Sequence, residues 1–112
     1  MATDGTRTTG DGLPGDVIDD LLGDERRQLL LVCLISRGGR MVIEDLAAHV
    51  RAREAGTDPE AVEAGRRRAV REEIFQHHLP KLTATGVVEY DSMLGTLELE
   101  KPSIAERARD RR

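Results

Sequence analysis

The densest run of cations in the chain is Arg66-Arg67-Arg68, with Arg71 a turn later. A guanidinium donates in a planar fork that matches phosphate oxygens, so such a cluster at the start of a helix points to a nucleic-acid backbone. The competing assignment is a solvated helix end in which Glu63 pairs with Arg67 at i, i+4. Gln76, His77 and Lys81 follow on the same predicted helix and join the arginines as DNA-contact candidates; a glutamine amide reads base edges well. The histidines do not make a metal site. His77 and His78 are adjacent and diverge by about 100° on a helix, His49 lies on another element, and no HxxxH spacing occurs. Cys33 sits in an apolar run and reads as a buried, inert thiol. Gly38-Gly39 lacks the flanking pattern of a phosphate loop. With no Ser-His-Asp or Cys-His arrangement, no catalytic residue, metal or cofactor is assigned, and the chain does not read as an enzyme.

Composition narrows the classes further. The chain has 112 residues and a formal net charge of −4, one domain's worth of sequence with no whole-molecule attraction to phosphate. Any nucleic-acid contact must therefore be a local basic surface. Phe75 and Tyr90 are the only aromatics, which argues against modules that stack single-stranded bases. The single cysteine excludes an internal disulfide. The longest apolar run, residues 29–35, is far short of the about 20 residues a bilayer span needs. No basic segment leading into an apolar stretch marks a signal peptide, and the expected location is the cytoplasm. The basic residues are 15 Arg and 2 Lys, a bias that accompanies GC-rich, salt-adapted proteomes.

The elements that must position these residues follow from local pattern. Residues 1–15 hold little to bury and are expected to be a disordered tail. Asp16 is the expected cap of a short helix carrying Val17, Ile18, Leu21 and Leu22, and Asp24 of a second one running to about Arg37. Seven successive apolar residues in that second helix put apolar groups all round it, so it is expected to be buried on most sides. Leu29, Leu30, Val32 and Ile35 are the candidates for a homodimer interface. After a short extended piece at Met41-Val42, the apolar positions Ile43, Leu46, Ala47 and Val50 fit one face of a third helix. Asp58 and Pro59 suit the cap and first position of a long helix over 59–85. It is expected to kink near Leu79, because Pro80 lacks a donor and crowds the carbonyl of Gln76. Gly86 suits the left-handed residue that stops it. Val88, Tyr90, Leu97 and Leu99 alternate with polar residues across a closing hairpin. Residues 101–112 carry +3 against −6 for 16–100 and are expected to be a basic, disordered tail.

This order predicts an α+β, mainly α fold: a winged helix-turn-helix domain over 16–100, with a three-helix core and a C-terminal two-stranded wing. The strongest local signal is Leu79 and Leu82 on one face, followed by Gly86-Val87-Val88, a helix end flowing straight into a strand. Residues Leu21-Leu22-Gly23-Asp24-Glu25-Arg26-Arg27, Ile43-Glu44-Asp45-Leu46-Ala47, His78-Leu79-Pro80-Lys81-Leu82, Gly86-Val87-Val88-Glu89-Tyr90-Asp91 and Gly95-Thr96 resemble a winged-helix domain family of unknown function widespread in haloarchaea. The resemblance spans residues 21–96. It implies the fold and a regulatory, DNA-related role, and it brings no catalytic residues. The chain departs from that pattern at Val42, where a capping Ser or Thr is usual, at Phe75 and Gln76, where histidine is usual, and at Ser92-Met93-Leu94, in place of a more polar turn.

Two functions stay open. One is a double-stranded-DNA-binding transcriptional regulator that uses helix 59–85 as its recognition helix. The other is a protein-interaction or dimerisation module with no direct DNA contact. The outer helix face carries Glu72 and Glu73 beside Gln76, and the wing loop offers Asp91 and no base, so neither surface is uniformly suited to phosphate.

Overall fold

The computed structural model describes residues 12–112. The tail expected at 1–15 lies outside the described residues apart from positions 12–15, where Leu13 packs partly on the core. Helix α1 spans Gly15–Leu21. Asp16 is inside its first turn rather than at the cap; Pro14 holds the cap position, and the Asp16 carboxylate accepts from the next amide, Val17 N–H, at 3.0 Å. Helix α2 spans Glu25–Ser36, and here the cap is as expected: the Asp24 carboxylate accepts from Arg27 N–H at 2.9 Å.

Strand β1 (Arg40–Val42) leads without a loop into α3 (Ile43–Ala55). Val42 offers no side-chain cap. The orphan Ile43 N–H donates instead to the Gly95 carbonyl, at 2.8 Å, across the molecule. Strands β2 (Val88–Asp91) and β3 (Thr96–Leu99) form the hairpin, and the sheet order is β1-β3-β2, antiparallel throughout. Met41 and Tyr90 flank Leu97, which is fully buried. The short extended piece expected at Met41-Val42 is thus the third strand of the sheet, joined to the two-stranded hairpin through β3. The architecture is α+β, mainly helical.

The helix expected over 59–85 is divided. Pro59–Ala61 is a single 3₁₀ turn, and Asp58 makes no side-chain cap. The chain extends at Val62 and Glu63 before α4 starts at Ala64. Helix α4 (Ala64–Glu73) passes into a π-helical turn, Ile74–His78, and then α5 (Leu79–Ala84). Pro80 explains the turn's position, upstream of the predicted kink. It cannot donate to the Gln76 carbonyl, and Leu79 N–H closes on Ile74 O, an i→i+5 bond. The side-chain pattern needs this wider turn. Buried positions Val70, Ile74, His78 and Leu82 are spaced by four, so each step on an α-helix drifts about 40° off the core; the added residue returns Leu82 to it. Phe75 then meets Tyr90 of β2 edge-on, centroids 5.4 Å apart at 83°. Gly86, at φ +75°, ends the run as predicted, with Val87 N–H donating to Leu82 O at 2.9 Å.

Two expectations for the termini and surface are overturned. Residues 101–112 are not a disordered tail: Pro102–Asp110 is helix α6, and Ile104, Ala105 and Ala108 are buried. Pro102 sits where its missing donor costs nothing, and the three apolar residues share one face at i, i+1, i+4. Helix α6 packs along α2, and Arg111 reaches Asp19 at 2.9 Å. Leu29, Leu30 and Val32 are buried within the single chain, and Ile35 is half-buried against the same core. The proposed dimer surface is closed by the chain's own C-terminal helix. Among the described residues no helix is long and apolar enough to cross a membrane.

Candidate nucleic-acid interface

The seven polar candidates separate into tied and untied groups. Arg67 Nε and Arg71 Nη1 both reach Glu44, at 3.6 and 3.3 Å, and Arg71 Nη2 reaches Glu72 at 3.6 Å. Glu44 lies in the first turn of α3, where the helix dipole favours an acid. These pairs fasten α4 to α3. They replace the expected Glu63 with Arg67 pair, whose only link is the backbone bond from Arg67 N–H to Glu63 O at 2.9 Å. Lys81 Nζ donates to Asp20 Oδ2 at 2.9 Å, and that hydrogen bond holds the Asp20 carboxyl below the ordinary carboxylate value.

Arg66 and Arg68 are exposed and, among the described residues, reach no carboxylate. Gln76 and His77 are exposed on the π-turn and also lack side-chain partners among those residues. One continuous run, α4 to α5, thus presents two free guanidiniums at its start and a free amide and imidazole at its wide turn.

The hairpin adds no cation to this surface. Glu89, Glu98 and Glu100 are exposed, with carboxylate oxygens all within 4.8 Å of one another. Arg40 stands opposite Glu98 in the register. At the tip, Asp91 Oδ1 accepts from Met93 N–H at 2.9 Å and Leu94 N–H at 3.1 Å. This Asx turn fixes Met93 and Leu94 outward, 92% and 60% exposed.

Behind α4 lies a charged network that sequence reasoning did not anticipate. Arg27 is 6% exposed. Its Nε donates to Leu21 O at 2.6 Å and its Nη2 to Asp20 O at 3.0 Å, while Nη1 faces His78 Nδ1 at 3.3 Å. His78 is 2% exposed, and its Nε2 lies 3.5 Å from Glu73 Oε2. Glu73 also accepts from Arg26, which grips Glu54 with two donors at 2.6 Å each. Arg26 so joins α2, α3 and α4. The signal for Arg27 was present: it falls at i, i+3, i+4, i+7 with Leu30, Leu31 and Leu34, on a core-facing stripe. Cys33 is buried as expected, and burial pushes its thiol above the ordinary value, the opposite of what a nucleophile needs. No candidate metal cluster among the described residues includes a histidine.

A family model described as a domain of unknown function (DUF7344) matches residues 19–98. The matched span covers α2, the sheet and the α4–α5 run and stops short of α6. Comparisons with curated proteins and with solved structures find no match.

Proposed function

Since the chain belongs to the DUF7344 family, whose description assigns no activity, we propose from the geometry that it is a winged helix-turn-helix regulator of double-stranded DNA. The α4–α5 run would act as the recognition helix. The supporting architecture is the succession α2, β1, α3, α4–α5 and hairpin, with β1 closing the sheet against β3. The observation that carries the reading is the pair Arg66 and Arg68, which reach no carboxylate among the described residues and stand at the start of a helix whose outer side continues to Gln76. Two free guanidiniums fit phosphate contacts that set register, and the Gln76 amide fits a base edge. The acidic hairpin would stay clear of the backbone, leaving the helix to dock alone. Few phosphate contacts also suit binding at high salt, where counterion release contributes least and shape and base contacts count most.

The Arg66→Ala, Arg68→Ala double variant tests this. Duplex affinity is expected to fall, and the salt slope to flatten by about 2, one contact per arginine. Titration of genomic duplex fragments across a salt series reads both quantities. An unchanged affinity and slope would reject the assignment.

The exposed Met93 and Leu94, set among acids, favour one second reading, a protein-interaction module docked through the hairpin tip. It gains if the parent chain binds no duplex even at low salt.

A further inference from the structure

We propose that His78 is a proton-operated latch between the α1–α2 corner and the π-turn that carries Gln76 and His77. The latch stands on the buried geometry alone; its consequence for DNA rests on the regulator reading.

Arg27 has donors and no acceptor, and it stays charged at any working pH. Its Nη1, 3.3 Å from His78 Nδ1, therefore requires a lone pair on Nδ1. The proton of the neutral ring sits on Nε2, aimed at Glu73 Oε2, 3.5 Å away. That spacing is longer than a hydrogen bond, and among the described residues Nε2 has no other partner. A second proton has only Nδ1 to occupy, where it meets a donor. Two donors and two positive charges then face each other inside the fold, and the Arg27–His78 contact must open.

The groups facing His78 set the direction of that opening. From α2 come Arg27 and, at its cap, Asp24; from α4 comes Glu73, already shared with Arg26. Burial opposes the imidazolium most strongly, Arg27 adds to burial, and the imidazole is held below its ordinary value. The two carboxylates favour the imidazolium and would draw it toward Glu73. Once released, Arg27 keeps its bonds to Leu21 O and Asp20 O, so the corner stays whole and parts from the π-turn.

Because the folded value lies below the unfolded one, the folded state binds fewer protons. The stability contributed by neutral His78 is full above the ordinary imidazole value and is lost as pH falls through it toward the folded value. Asp20 and Asp24 are lowered as well, but they titrate below about pH 5, which leaves the window from about pH 7.5 to about pH 5 to histidine.

Nitrogen-edited NMR of the free full chain is the test. At about pH 7.5 His78 is expected as the Nε2–H tautomer, and on acidification the amides of residues 75–79 are expected to shift together with a midpoint below the ordinary imidazole value. In His78→Gln, whose side-chain carbonyl can accept from Arg27 and takes no proton, this shift and the drop in urea midpoint over the same window are expected to vanish. An Nδ1–H tautomer, a midpoint at the ordinary value, or amide shifts that persist in His78→Gln would overturn the latch. The tautomer and midpoint are read on the parent chain, so the outcome stands even if the variant fails to fold. Duplex binding is read separately: its absence at every pH overturns the regulator reading, whereas an ordinary His78 titration overturns the latch.

Discussion

Replacing Ile104 with alanine is expected to lower folding stability by about 2–4 kcal/mol, the range for truncating a large aliphatic side chain at a fully buried site. Ile104 is 0% exposed and is the one large apolar residue of α6; its buried companions are Ala105 and Ala108. A nine-residue helix is too short to persist by propensity alone. It holds its place through this face and through Arg111 and Arg112, which reach Asp19 and Glu25 near the ends of α1 and α2. Those pairs are exposed and contribute little each. Ile104 therefore carries most of the docking, and the truncation leaves a cavity that small neighbours cannot close. A shift in the urea midpoint at unchanged slope measures it. A loss below about 0.5 kcal/mol, the size of an ordinary surface change, would mean that α6 does not seal α2. The consequence extends beyond stability, because α2 carries apolar side chains on every side. Without α6 the side of α2 that it covers would face solvent.

The second large effect is expected for Arg27→Leu, at about 3 kcal/mol of lost stability. The leucine fills part of the space, but Leu21 O and His78 Nδ1 lose their donor together, while Asp20 O loses one of two and keeps Gly23 N–H at 3.3 Å. Each buried acceptor left without a partner costs about 1–3 kcal/mol, and relaxation toward water recovers a share. The pH dependence should shift in a definite direction. With the guanidinium gone, one of the two influences that lower the His78 imidazole disappears while burial remains. The folded value moves up toward the unfolded one, so less stability is lost between about pH 7.5 and about pH 5 than in the parent chain. Urea midpoints at the two ends of that window separate the effects. A variant of unchanged stability would show that Arg27 is dispensable to the corner. An equal acid loss in both chains would show that its charge does not act on His78.

Much of the fold was legible because its signals are local. Asp24 caps α2, Gly86 stops α5, and the Val88, Tyr90, Leu97, Leu99 alternation marks the hairpin; each depends on residues within about four positions or on a strict period of two. The buried stripe from Ile43 to Val50 follows from the same arithmetic. The candidate site was less legible. Arg66, Arg67, Arg68 and Arg71 look equivalent along the chain, yet Glu44 claims Arg67 and Arg71 and leaves Arg66 and Arg68 free. An acid more than twenty positions away leaves no trace in the local pattern.

The sequence by itself determined that α2, α3 and the closing hairpin form, where the long run after residue 59 must stop, and that its first turns are rich in arginine. These rest on propensity, capping and periodicity, which neighbouring residues settle among themselves. Tertiary structure alone decided that α6 rather than a second subunit covers α2, that the four-residue spacing of buried positions is absorbed by a π-turn, which arginines stay free, and that Arg27 and His78 meet. Each of these is a contact between segments distant along the chain, chosen by what must be buried and which charges then find a partner, and no local pattern encodes that choice.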